Sequence, residues 1–191
     1  MKKTGFIGYQ LRELMKSGDI ASVFTDPENP DDFIAGYVRA ISARSALIES
    51  IGPFGYFDGW FALKLGCVLD VQFDAAYAER LDRLLKINAQ QPQSLDMPDE
   101  AHQADCDYIA LLMRCAMAQR RAVTVWTASD AYTGFVGDVN DLHMSLIPLG
   151  FLGERFDAMP LRLTDVELSS MGSEEERMYE KLSASITPWN L

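Results

Sequence analysis

The sequence predicts a mainly β chain with flanking helices, arranged as two five-stranded barrels in tandem, each ordered helix, five strands, helix. Three observations point there. Phe33 to Ile41 and Ser45 to Ile51 read as two consecutive strands around a turn at Ser42-Ala43-Arg44. A weaker copy of that pattern returns about a hundred residues later, from Phe135 to Leu149, as an internal repeat would. Glycines fall inside the apolar runs, at Gly36, Gly66 and Gly137, and suit the bends that a small barrel needs.

Taken in order, residues 5–17 predict a helix, with Leu11, Leu14 and Met15 at helical spacing and Ser17-Gly18-Asp19 as a stop. Ile20 to Thr25 reads as a strand. Asp26 to Asp32 holds two prolines and four acids and is a loop. The strand pair of Phe33 to Ile51 follows, then a turn at Gly52-Pro53-Phe54-Gly55. Trp60 to Leu65 and Val68 to Phe73 predict two more strands, bent at Gly66. Ala75 to Lys86 closes the half as an amphipathic helix with Tyr77, Leu81, Leu84 and Leu85 on one side.

The composition turns to Gln, Pro, Asp and Ala from residue 88 to 106, a linker between a first unit at 1–87 and a second at 107–186. Residues 187–191 are a tail. In the second unit, 107–119 is a helix, Ala122 to Thr127 matches Ala21 to Thr25, and Phe135 to Val139 matches Ile34 to Val38. Leu149 to Gly153 echoes Ile51 to Gly55, Leu161 to Val166 echoes Leu63 to Val68, and Asp157 echoes Asp58. Residues 174–183 close with a helix. The offset falls from 102 at Thr25/Thr127 to 98 at Leu84/Leu182, a change placed in the loops. Five short strands in such a span cannot bury both faces of a flat sheet, so closure into a barrel is expected.

Composition sets the bounds. The 191 residues are 48% hydrophobic and 10% aromatic, ample for a core. A net charge of −11 repels phosphate backbones unless the cations gather. Residues 1–90 hold 10 Lys/Arg against 12 Asp/Glu, whereas 91–191 hold 7 against 16, so a polyanion would meet the first half. Three cysteines make no disulfide framework, and no apolar run approaches a membrane span or a signal-peptide core. The expectation is a cytoplasmic protein without membrane contact.

The apolar-and-glycine skeleton Gly36, Val38, Ile41, Ser42, Ala46 and Leu47, with Gly137, Val139, Leu142 and His143 in the second half, resembles the Sm-like fold. The chain is similar to the tandem Sm-like proteins of bacterial type, a class without an established function. That resemblance implies small barrels that pair strand edges between subunits. It also implies a base-binding pocket built from an Asp, an Asn and an Arg-Gly pair, and here the sequence departs. Ser42 and Ala46 stand at the first two positions, Leu65-Gly66 replaces Arg-Gly, and Leu163-Thr164 lacks both. Alanine cannot bond a base edge and leucine makes no charge-assisted bond, so the pocket is missing.

Other chemistry is weak. The acidic loop around Asp26, Glu28, Asn29, Asp31 and Asp32 lacks the glycine and terminal glutamate of a calcium loop, and reads as a solvated turn. His102 and His143 have no neighbours at metal-ligand spacing. Cys67 and Cys115 read as buried small hydrophobes, and Cys106, between two aspartates, as a poor nucleophile. No catalytic, cofactor or metal residues are assigned. Gly52 to Trp60 crowds four aromatics into a turn-rich run, and Phe54 and Tyr56 cannot easily face the way Phe57 does. The candidate contact surface is therefore Phe54, Tyr56 and Trp60 with Arg39, Arg44 and Lys64.

The functional expectation is a non-enzymatic interaction or assembly module with protein partners, including itself as a homo-oligomer. The alternative is an RNA-binding protein using a non-standard surface of the first half. A hydrolase would require a carboxylate pair such as Asp58 and Asp157, and is the third reading.

Overall fold

The structure, a computed structural model, describes residues 3–29, 31–92, 94–95 and 104–186. It divides into two compact units, Met1–Tyr108 and Ile109–Leu191. The first carries α1 (Lys3–Ser17), β1 (Ile20–Phe24), β2 (Ile34–Ile41), β3 (Ser45–Ile51), β4 (Phe57–Lys64), β5 (Asp70–Gln72) and α2 (Ala75–Ile87). From α3 (Tyr108–Gln119) the order runs β6 (Ala122–Thr127), β7 (Ala131–Val139), β8 (His143–Pro148), β9 (Met159–Arg162), β10 (Val166–Met171) and α4 (Glu174–Ile186). Among the described residues no helix is long and apolar enough to cross a membrane. Residues 93 and 96–103 of the linker and the whole 187–191 tail lie outside the described residues.

The mainly β character with four helices is as expected, but the closed barrels are not present. In the first unit the strands run β5-β1-β2-β3-β4, all antiparallel, and in the second β10-β6-β7-β8-β9. Among the described residues, the two end strands of each order do not pair with one another, so the sheet is open. The expectation of two closed five-stranded Sm-like barrels is corrected accordingly. Its premise, that both faces of an open sheet could not be buried, fails. Every residue of β3 is buried. Leu81 and Leu85 of α2 pack with Ile20, Ala35, Ile51 and Phe57 on one side of the first sheet. The N-terminal helix α1 lies against β1, β2 and β5, with Ile7 and Leu11 buried. Closure is also limited by length, since β5 spans only three residues.

Hydrogen bonding aligns the two units residue by residue. In the first, Gly36 stands opposite Ser50 and the ladder slips between Val38 and Ala40. In the second, Gly134 stands opposite Pro148 and the slip falls between Val136 and Asp138. Gly36 therefore corresponds to Gly134, not Gly137 as the sequence pattern suggested. Packing gives the same answer: a Cβ on Gly36 would lie 2.2 Å from the Glu49 carbonyl oxygen, and one on Gly134 would lie 2.3 Å from that of Ile147. Backbone must touch backbone there, which is why the glycine recurs. Ser42 likewise corresponds to Asn140. The Ser42 hydroxyl accepts the N–H groups of Arg44 and Ser45, and the Asn140 side chain accepts those of Leu142 and His143. Both are side chains that close a turn by mimicking the backbone.

The whole change of offset falls in one place. Ala21 pairs with Gly36 and Val123 with Gly134, so the offset is 102 before the β1–β2 connection and 98 after it. The echo of Asp58 in Asp157 is one residue out of step; Asp58 corresponds to Phe156. Asp58 is a half-buried residue of β4, whereas Asp157 is exposed outside the strands.

Candidate interaction surface

The site is built where each unit turns from its third strand to its fourth. In the first unit Gly52 donates its N–H to the Tyr56 carbonyl, and Gly55 donates to that of Gly52, both at 2.9 Å. Gly55 has φ +73°, and a Cβ there would lie 2.2 Å from the Leu84 Cβ, so only glycine lets the turn rest on α2. Asn88, capping the C-terminus of α2, donates its side-chain amide to the carbonyls of Phe54 and Gly55, each at 2.9 Å. The turn is thus pinned to the helix end, and pinning it pushes side chains outward. Phe54 is 74% exposed, and Tyr56 and Ile87 are each more than half exposed.

The second unit repeats this corner with different residues. Gly150 donates to Glu154 at 2.8 Å and Gly153 to Gly150 at 2.9 Å. Gly153 has φ +88°, and its Cβ would lie 2.6 Å from that of Leu182 on α4. Phe151 is 81% exposed, and Leu152, Phe156 and Ile186 are each more than half exposed. Single exposed apolar residues are ordinary on a protein surface, and Phe6, Tyr9 and Phe73 of the first unit and Leu142 and Met178 of the second are such cases; each corner instead groups several. Sequence reading missed Ile87, Phe151, Leu152, Phe156 and Ile186. The available signal was the apolar pair Phe151-Leu152 between glycines, where a solvated turn carries polar residues.

The predicted contact residues do not form one surface. Phe54 and Tyr56 are exposed, but Trp60 is only 6% exposed and lies in β4 opposite Glu49. The aromatic corner adjoins the Ile51/Phe57 end of the β3–β4 hairpin, while Arg44 and Lys64 belong to the Ser45/Lys64 end. Seven strand residues separate those ends by roughly 20 Å. Arg44 is exposed and Lys64 half-buried. Arg39 belongs to neither end: it lies in β2, with its Nε and Nη2 donating to Glu49 Oε2 at 2.8 and 2.5 Å. Arg12 donates to the carbonyls of Gly8 and Ser42, and Lys16 pairs with Glu13 at 2.8 Å.

Other candidates resolve into structure. Asp26 accepts the Asn29 amide on Oδ2 and, second in effect, the Glu28 N–H on Oδ1, which stabilises its charged form and holds its carboxyl below the usual range. It therefore closes a turn with both oxygens. Among the described residues no cluster of His, Cys, Asp or Glu has the makings of a metal site. Cys115 is buried, Cys67 and Cys106 are half-buried, and none of the three forms a disulfide. His143 is exposed at the start of β8, and His102 lies outside the described residues. No family model, curated protein or solved structure matches the chain.

Proposed function

We propose that the chain is a non-enzymatic interaction module, built of two related units and acting through protein contacts that include self-association. The single observation behind this reading is the recurrent exposed apolar corner, Phe54, Tyr56 and Ile87 in one unit and Phe151, Leu152, Phe156 and Ile186 in the other. Each corner sits on a turn whose glycine rests against the closing helix of its unit, which lowers the ordering cost of meeting a partner, and aromatic side chains are the residues that carry binding energy at interfaces. Two such corners in one chain make each copy bivalent, which favours assembly with further copies.

Size-exclusion chromatography with light scattering tests this directly. The reading expects a mass above the 21.4 kDa of one chain at micromolar concentration. A strict monomer at every concentration, purified with no partner protein, contradicts it.

A further inference from the structure

The first unit also contains a cleft that the interaction surface does not use. It has a volume of about 400 Å³, in the size range of small-molecule sites, and Tyr37, Arg39, Phe57, Leu85, Lys86 and Gln90 are among its walls. Phe57 and Leu85 are buried and give it an apolar floor. The Tyr37 ring lies 6.4 Å from that of Phe57, tilted by 44°. Burial, and after it the nearby Asp82 carboxylate, push the Tyr37 hydroxyl above its ordinary value, so it remains a protonated donor.

Arg39 is held with unusual care. Its guanidinium lies over the Tyr37 ring, 4.7 Å from the centroid, and is gripped through Nε and Nη2 by Glu49. The Glu49 side chain is 1% exposed while that of Arg39 is 36% exposed. The pair leaves Nη1 unengaged among the described residues. Arg39 also stands at the slip in the β2–β3 ladder, a feature that re-aims side chains beside functional sites. Burying a carboxylate to orient an arginine does not favour stability over a well-packed apolar pair.

The second unit shows that the fold does not need this arrangement. At the corresponding positions Gly137 replaces Arg39, Ile147 replaces Glu49, Phe135 replaces Tyr37 and Ala184 replaces Lys86. Phe57 becomes Arg155, which lies over the Phe135 ring at 5.1 Å and donates to the Ser183 hydroxyl at 3.0 Å. The same backbone thus forms without the polar set, and one of the unit's own side chains lies over the corresponding ring.

We infer that the cleft of the first unit binds a small organic carboxylate with a flat apolar body. The carboxylate accepts from Arg39 and Lys86, and the body rests on Phe57 and Leu85. A monoanion fits better than a phosphate dianion because both cations are already partly neutralised, Arg39 by Glu49 and Lys86 by Asp82 at 2.5 Å. This inference is independent of self-association.

The test is a titration of the full-length chain with benzoate, followed by ¹H–¹⁵N correlation spectra, with benzamide, benzylamine and inorganic phosphate as parallel probes. Saturable shifts are expected at the amides of Tyr37, Phe57, Leu85 and Gln90, with a Kd of about a millimolar, as befits a small fragment. Benzamide, benzylamine and phosphate should bind at least about tenfold more weakly, and Arg39→Gln should lose at least about tenfold in benzoate affinity. Lys86→Ala, at an exposed position, should lose affinity too and serves if Arg39→Gln does not fold. The inference is overturned by the absence of saturable shifts at these amides. It is equally overturned by benzylamine binding as well as benzoate, or by unchanged benzoate affinity in a folded Arg39→Gln or in Lys86→Ala.

Discussion

At the scale of single residues, three glycines separate backbone strain from packing. Gly18, Gly55 and Gly153 all have positive φ, but a Cβ on Gly18 meets nothing within 4 Å, whereas on Gly55 and Gly153 it meets the closing helix of its unit. Gly18→Ala is therefore expected to cost about 1 kcal/mol, the backbone term alone. Gly55→Ala should cost about 3 kcal/mol, because overpacking adds to the strain. Urea unfolding distinguishes them, and equal costs would mean that the turn does not rest on α2. Glu176 is a second case. It is fully buried at the start of α4, in a reciprocal cap with Ser173, and it accepts the Thr124 N–H and the Ser170 hydroxyl. Burial raises its pKa above the ordinary 4.5, against the pull of those hydrogen bonds. The folded state then holds the proton more tightly, so Glu176 weakens the fold as pH rises from about 4.5 through its folded value. Wild type should lose stability relative to Glu176→Gln over that window, as pH-dependent urea unfolding would show; a constant difference would contradict the shift. The Ser-x-x-Glu spacing is legible in the sequence as a helix start, but the reach of the same carboxylate to β6 is not, because it depends on a contact 52 residues away.

At the scale of elements, strands and helices are legible because their period is local. Leu81 and Leu85 on one face of α2, and the apolar runs of β2 and β3, announce themselves within a few residues. Register is not local. Matching Gly36 to Gly137 by eye is wrong by three residues, since which glycine faces a neighbouring carbonyl is fixed by pairing across the sheet. Closure is not local either: whether a sheet curls or is covered by helices depends on where α1 and α2 dock. The aligned registers give an element-scale prediction. The β1–β2 connection of the first unit is four residues longer than its counterpart, while the flanking pairs, Val23/Ile34 and Val125/Tyr132, hold the same places. Deleting four residues within 26–32, with Phe24 and Phe33 kept because their rings lie 5.2 Å apart and Phe33 packs on the core, should change stability by less than about 1 kcal/mol, since loop length enters only logarithmically. A loss of the cooperative unfolding transition in circular dichroism would show that the acidic loop carries structure.

At the scale of the whole molecule, composition and charge are legible in the sequence but the proposed contact surface is not, because exposure of Phe151 or Ile87 follows from packing that no local pattern records. The separation of Arg44 and Lys64 from the aromatic corner was likewise invisible until the hairpin register was known. With a net charge of −11, copies of the chain repel one another, so the proposed association must come from apolar contact. Added salt should then strengthen it by screening, the opposite of what charge-driven binding shows. Sedimentation velocity of the wild-type chain beside the quadruple variant Phe54→Ser, Tyr56→Ser, Phe151→Ser and Leu152→Ser tests the central claim most directly. All four side chains are exposed, so unfolding stability should stay within about 1 kcal/mol. The account predicts a concentration-dependent oligomer for wild type and a monomer for the variant. Two samples of the same mass, whether both oligomeric or both monomeric, would contradict it.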